Sequence, residues 1–201
     1  MNPAAFKLQS GAVLDGFTIQ ERLHRGGMAT LWRVSHPEHG GQLLMKVPMM
    51  REGDDPAAIV GFEMEQMILP RLGGPHVPRF IASGDFSVQP YLVMERVAGT
   101  SLLPMLDRLP MPADELAALG ARIATALADL HRQHVVHLDV KPSNILMRED
   151  GQIVLIDYGL ARHMQLPDLM HEEFRLPYGT APYMAPEQIM GNRSDFRSDQ
   201  F

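Results

Sequence analysis

The chain has no cysteine among its 201 residues. That excludes a disulfide framework and thiolate metal sites, and it fits a reducing compartment, so a cytoplasmic location is expected. Positive charge is not in excess either. The net charge is -6, which leaves no electrostatic footprint for nucleic acid. No apolar run reaches the roughly 20 residues that span a bilayer, so a membrane is not indicated within this segment. The first residues, MNPAAFKLQSGAVLDG, lack a basic stretch followed by a long apolar one and do not read as a signal peptide. Internal repeats and low-complexity tracts are missing. What remains is a chain that is 45% hydrophobic, ordinary for a folded globule. Its 15 Met are scattered and read as adaptable core filler.

Hydrophobic periodicity divides the chain in two. Residues 17–23 alternate apolar and polar side chains, as a half-buried strand does, and 30–34 resume the alternation after Gly26-Gly27. Residues 42–47 predict a third strand, ended by Pro48. Asp54-Asp55-Pro56 is a helix-start signal, and the helix should run through 72, closed by Gly73-Gly74-Pro75. Two short strands follow at 77–82 and 91–94. Beyond Gly99 the character changes. Pro112-Ala113-Asp114-Glu115 opens a long helix to about His131, with Leu116, Leu119, Ile123, Leu127 and Leu130 at helical spacing on a core face. Residues 152–156 predict a buried strand, and the rest is rich in loops. The expectation is an α+β chain with a β-rich first part and a helical second part joined near 95–99. Clefts between such parts are common ligand sites.

The chemistry concentrates in HVVHLDVKPSNILM. Asp139 and Asn144 lie five positions apart in a non-periodic loop, and Asp157 follows a buried strand and precedes Gly159. Such oxygen-bearing side chains suit Mg²⁺, which prefers carboxylates together with phosphate oxygens. Lys141 can neutralise charge on a transferring group, and Asp139 can orient or deprotonate a hydroxyl. The reaction class this suggests is phosphoryl transfer, in which positioning and electrostatics do most of the catalysis.

At this point the chain resembles a bacterial protein Ser/Thr kinase of the eukaryotic type. His137-Leu138-Asp139-Val140-Lys141-Pro142-Ser143-Asn144 resembles the family's catalytic loop, Asp157-Tyr158-Gly159 its metal-binding triplet, and Ala185-Pro186-Glu187 the close of its activation segment. The resemblance implies a bilobal fold: a tail over 1–16, a small lobe over 17–96, and the first part of a large lobe over 97–201. It implies ATP with Mg²⁺ or Mn²⁺ as cofactors and proteins bearing Ser or Thr as substrates. It assigns Asp139 as catalytic base, Lys141 and Thr180 as its companions, and Asn144 and Asp157 as metal ligands. Lys46 would hold the α and β phosphates, partnered by Glu65 rather than Glu63, which reads as a solvated position. Met94, Glu95 and Val97 would form the gatekeeper and hinge. Leu23, Gly26, Gly27, Met28, Leu31, Leu44 and Leu146 would enclose the nucleotide. His131, His134 and His137 recur every three residues, but the helix should end there, so a metal site is not expected. His137 instead matches a structural family His. Trp32 reads as packing, and Arg22, Arg25 and Arg33 as solvated charges.

Four departures stand out. His24 and Ala29 occupy two of the three glycine positions of the phosphate loop, so that loop should sit less tightly on ATP. Leu44 replaces the small residue that usually lies against adenine. Leu138 replaces an Arg that normally receives a phosphorylated residue. Residues 157–179 contain no Ser or Thr, so activation through a phospho-Thr there is not expected, and Tyr178 is the remaining acceptor. Finally, Ser198-Asp199-Gln200-Phe201 falls where the family begins its central large-lobe helix, and Asp199 resembles that helix's buried Asp. A fragment of a longer protein, or a truncated product, is therefore expected, with part of the long helix's apolar face exposed.

The rival reading is a pseudokinase-like binding module, favoured by His24, Leu44 and the abrupt end. A small-molecule kinase of related fold is disfavoured by Lys141-Pro142, Thr180 and Ala185-Pro186-Glu187. Leu44 supplies a direct test of the nucleotide site. Leu44→Ala should tighten nucleotide binding in a titration, relieving the about 1–3 kcal/mol that overpacking typically costs; unchanged or weaker binding would count against the reading.

Overall fold

The computed structural model describes residues 8–49, 56–173, 178–191 and 195–201. The first half forms an antiparallel sheet of six strands in the order β1-β2-β3-β4-β6-β5. These are β1 (Val13–Leu14), β2 (Phe17–Arg25), β3 (Ala29–His36), β4 (His39–Pro48), β5 (Phe80–Gly84) and β6 (Tyr91–Glu95). The alternating pattern locates the strands but misses β1. Val13 and Leu14, placed in a tail by the sequence pattern, pair with Thr18 and Phe17. The turn between them is Asp15-Gly16, both at positive φ, the conformation a two-residue hairpin needs. Between β4 and β5 lies α1 (Pro56–Ile68), continued by a 3-10 turn over Leu69–Arg71. Pro56 is its first residue, as a ring without an N–H favours; Asp54 and Asp55 of the start signal lie outside the described residues.

The second half holds β7 (Thr100–Ser101), α2 (Ala113–Arg132), β8 (Val135–Val136), β9 (Ile145–Met147), β10 (Ile153–Leu155), β11 (Arg162–His163), α3 (Leu169–Glu173) and α4 (Pro186–Ile189). Helix α2 follows its sequence signals. Asp114 and Glu115 sit in the first turn, and His131 and Arg132 in the last, matching the helix dipole at each end. Strands β10, β9 and β7 make a small sheet, and β11 pairs with β8.

Two apolar cores divide the work of holding these parts. One lies on the far side of the six-stranded sheet and gathers Ile19, Val34, Leu43, Met45 and Val93. The other joins the halves: Phe62, Met64 and Ile68 of α1 meet Leu92 and Met94 of β6, Leu127 and Leu130 of α2, and Leu155 of β10. Strand β6 feeds both, because successive side chains point to opposite faces. The same alternation on β4 turns Leu43, Met45 and Val47 into the first core and leaves Leu44 and Lys46 to the other face.

One core assignment needs correction. Leu116 is 56% exposed, while Leu119 and Ile123 only pack against the core's edge. The residues α2 packs on begin further along, so its buried contacts come from Ala126, Leu127 and Leu130. Trp32 is buried, as packing requires.

Helix α1 is tied to the sheet by Gln66, whose Nε2 donates to the carbonyls of Gly84 at 3.0 Å and Tyr91 at 2.9 Å. Gly84 and Tyr91 are paired across β5 and β6. A Cβ at Gly84 would lie 2.3 Å from the Tyr91 ring and 2.5 Å from the Gln89 carbonyl oxygen. The Tyr91 ring is buried and its hydroxyl donates to Asp15 at 2.7 Å, so it has little room to retreat. Gly84→Ala should therefore destabilise the fold by about 1–3 kcal/mol, read as a lower urea midpoint; an unchanged midpoint would refute this account of the β5–β6 pair.

Candidate functional site

One polar contact of the cleft starts on β4. Lys46 pairs with Leu31 of β3 and Leu92 of β6, and its side chain crosses the gap to α1. Its Nζ lies 2.5 Å from Glu65 Oε2 and 2.8 Å from Asp157 Oδ1. Glu65 is buried and Glu63 exposed, so of the two acids only Glu65 faces the cleft. Glu65 Oε1 also accepts the Tyr158 N–H at 3.4 Å. Burial pulls the Lys46 ammonium down, but the Glu65 and Asp157 carboxylates outweigh it, and the net shift is upward. Lys46 holds Asp157 below the usual carboxylate range against a smaller effect of burial. The stability that Asp157 contributes through that pairing is present above the ordinary carboxylate range and lost as pH falls below it. Burial raises Glu65, opposed by Lys46.

Asp157 has φ 67°, a left-handed conformation that Asp tolerates better than most residues. Two residues on, Gly159 meets Gly61 of α1 backbone to backbone. A Cβ on Gly61 would come within 3.0 Å of the Gly159 carbonyl oxygen. That close approach brings the 157–159 loop within reach of Glu65.

The second cluster lies on the loop between β8 and β9. Asp139 is 9% exposed. Its Oδ2 accepts Lys141 Nζ at 2.7 Å and Asn144 Nδ2 at 2.8 Å, and its Oδ1 accepts Thr180 Oγ1 at 3.0 Å. Lys141 Nζ also donates to Thr180 Oγ1 at 2.7 Å. Thr180 thus arrives from 39 residues away to close the cluster. The backbone beneath is pinned by Asp199. Its carboxylate accepts the N–H groups of His137 at 2.8 Å and Leu138 at 2.7 Å, and lies 2.8 Å from His131 Nε2. His137 is fully buried with its ring 5.2 Å from that of Tyr158. His131 meets Asp199 through its ring, whereas His137 meets it through its backbone N–H and turns its ring to Tyr158; among the described residues no group of three or more His, Cys, Asp or Glu is arranged to hold a metal.

The two clusters share one cavity of about 230 Å³, lined by Lys46, Asp139, Lys141, Asp157 and Thr180. Beside it opens a cleft of about 450 Å³ under the β2–β3 turn. Gly26, Gly27, Met28, Leu31, Leu44, Lys46, Glu65, Met94, Glu95, Val97, Leu146 and Asp157 all line it. Leu23 does not. It falls in a register irregularity between Arg22 and His24, and such a bulge re-aims a side chain. His24 lines the cleft and Leu23 is 36% exposed. Leu44 is paired with Met94 across β4 and β6, so the two bulky side chains share the inner wall. Two contributors escape sequence reading. Gln66 fastens α1, and the buried Gln188 reaches the Leu138 carbonyl. A glutamine carries no local signal of its partner.

A family model of the protein kinase domain matches residues 17–201. The chain belongs to the protein kinase domain family. The serine/threonine-protein kinase PknF of Mycobacterium tuberculosis is 34% identical over 201 residues, taking in 96% of this chain and 42% of that protein. PknL of the same species is 31% identical over 195 residues, taking in 96% of this chain and 48% of that protein. The crystal structure of the Mycobacterium tuberculosis PknI kinase domain matches with a TM-score of 0.70 at 29% identity, covering 96% of this chain and 73% of that one. The chain spans less than half the length of these curated relatives. The six-stranded sheet with α1 corresponds to the small lobe of a kinase fold, and the helical part with α2 to part of its large lobe.

Of the two acids on α1, only Glu65 is committed to the buried pair. Glu65→Ala removes one of the two carboxylates on Lys46, leaves Asp157 in place, and should cost about 1–3 kcal/mol of stability. Glu63→Ala, on the exposed face, should stay within about 0.5 kcal/mol. Urea unfolding of both variants checks the assignment, and equal losses would reverse it.

Proposed function

We propose that this chain is the catalytic region of a protein Ser/Thr kinase that transfers the γ-phosphate of ATP to hydroxyl groups of proteins. The observation that carries the reading is the single cavity onto which Lys46, Asp157, Asp139, Lys141 and Thr180 converge. A carboxylate gripped by a lysine, an amide and a threonine stands there across from a lysine held by two acids. The neighbouring cleft, at about 450 Å³, falls within the roughly 300–1,000 Å³ of ordinary ligand sites. Leu31, Leu44, Met94 and Leu146 give it apolar walls for a flat ring.

On this reading each residue has a task. Lys46 binds the α and β phosphates, and Glu65 keeps its ammonium in place. The hinge at Glu95 and Val97 meets the adenine edge. Asp139 orients the acceptor hydroxyl and takes its proton as the bond to phosphorus forms. Lys141 offsets charge on the transferring group, and Thr180 holds the Asp139 carboxylate toward it. Asp157 and the oxygen of Asn144 are hard donors that fit Mg²⁺ or Mn²⁺. The Asn144 amide nitrogen is engaged by Asp139, and its oxygen, which accepts a long bond from the Ser143 hydroxyl at 3.4 Å, keeps a lone pair with which it could meet the ion. When bound, the metal draws in phosphate oxygens and spreads their charge. The work of the protein is alignment and electrostatics, as phosphoryl transfer demands. No helix among the described residues is long and apolar enough to cross a membrane, and the proposed setting is the cytoplasm.

The test uses the full-length protein. Asp139→Ala should lower phosphate incorporation into a protein substrate by at least about 100-fold. Equal incorporation by the variant and the parent would reject the kinase reading in favour of a binding module.

A further inference from the structure

Gln188 lies on α4, directly after Ala185-Pro186-Glu187, and is 6% exposed. Its amide is used at both ends. Oε1 accepts the Ala185 N–H at 3.1 Å, a local cap within its own short helix. Nε2 donates to the Leu138 carbonyl at 2.9 Å, across 50 residues of sequence.

Leu138 is an unusual target. It sits at φ 61° and is 4% exposed, a left-handed backbone that disfavours any residue with a Cβ and persists only when its surroundings enforce it. Asp199 holds its N–H and Gln188 holds its C=O. The next residue is Asp139. Leu138 has no charge with which to receive a phosphate group, and residues 157–179 offer no Ser or Thr to carry one. Yet the segment from Tyr178 to Gly191 must stay in register with the catalytic loop, because Thr180 has to reach Asp139. A backbone carbonyl and a buried amide provide that link without any modification.

We infer that Gln188 is a positioning residue for phosphoryl transfer: it locks the strained Leu138 peptide to the segment carrying Thr180, so that Asp139 is aligned in the unphosphorylated protein. The inference rests on the kinase reading above and names how that site is regulated. It makes the link standing rather than switched. The competing view, that Gln188 only caps α4, assigns it stability and nothing else.

Two variants separate these views in the full-length protein. Gln188→Leu keeps the volume and removes both bonds. Gln188→Met does the same with a more adaptable chain and covers the case in which leucine is not tolerated. Each is read three ways: steady-state kinetics, amide exchange, and phosphatase treatment of the parent. The expected result is a kcat lower by about tenfold with the KM for ATP unchanged, as misalignment of the reacting groups predicts. Amide exchange at 138–140 should accelerate while the amides of 126–130 in α2 stay protected. Phosphatase treatment of the parent should leave its rate unchanged. A folded variant with parental kcat and parental exchange overturns the inference, and so does a loss confined to the KM for ATP. Loss of the parent's rate on dephosphorylation overturns it as well. Should the parent transfer no more phosphate than Asp139→Ala, the kinase reading fails on its own, and exchange at 138–140 alone decides whether Gln188 positions the loop.

Discussion

An ammonium group held between two carboxylates organises this molecule. Lys46 contributes from the sheet, Glu65 from α1 and Asp157 from the loop after β10. A buried charge is costly unless it is paired and hydrogen-bonded. Lys46 therefore cannot be left alone, and each of its partners belongs to a different part of the chain. Satisfying one charge forces three segments, up to 111 residues apart, into one arrangement. The contacts around the pair follow from that demand. Gln66 keeps α1 against β5 and β6, and the glycines at 61 and 159 let the two backbones close to the distance that the side chains need.

The Asp139 cluster obeys a different constraint. Its side chains are satisfied among themselves, but its backbone is not relaxed. His137 and Leu138 lend their N–H groups to Asp199, and Leu138 carries a positive φ. A loop held this way has few alternative conformations, which is what a group that must meet a reacting hydroxyl requires. The two clusters are also joined beneath the cavity: the Ile156 N–H donates to the Asn144 carbonyl at 3.0 Å and the Ile156 carbonyl oxygen lies 3.1 Å from His137 Nε2, so these bonds and the apolar core between α1, β6 and α2 together set their separation.

The order of the longer strands and helices is legible because period-two and helical patterns are local properties, whereas β7, β8, β11, α3 and α4 are too short to show a period. Most of the site is legible as well. Asp139, Asn144 and Asp157 announce themselves by residue type in an otherwise apolar neighbourhood, and Glu65 by its place on the inward face of a helix. The failures are equally physical. The family resemblance places Leu23 at the cleft, but a motif says nothing of a bulge, and the register irregularity between Arg22 and His24 leaves Leu23 outside it. Leu116 was expected in the core because helical spacing does not say where along a helix its neighbours begin. Val13 and Leu14 were too short a run to read as a strand without their partners. Gln66 and Gln188 act through carbonyls far away in sequence, and no window of residues contains that information.

These distinctions bear on what the chain's unusual residues do. His24 and Leu44 line the cleft wall, whereas the groups that grip Asp139 are Lys141, Asn144 and Thr180. On the proposed reading, a bulkier wall would weaken the hold on nucleotide in the ground state and the transition state alike, which would raise KM and spare kcat. A displaced Asp139 acts only where the hydroxyl attacks, which lowers kcat. On the proposed reading, the departures therefore fall on the side that sets how much ATP is needed. Leu138 is the exception, since it lies in the catalytic loop itself. Its side chain gives up a phosphate receiver while its backbone keeps two fixed partners. On the proposed reading, the loop carrying Asp139 is held by bonds that need no modification, and control would have to act on nucleotide supply or on access to the cleft rather than on the alignment of Asp139.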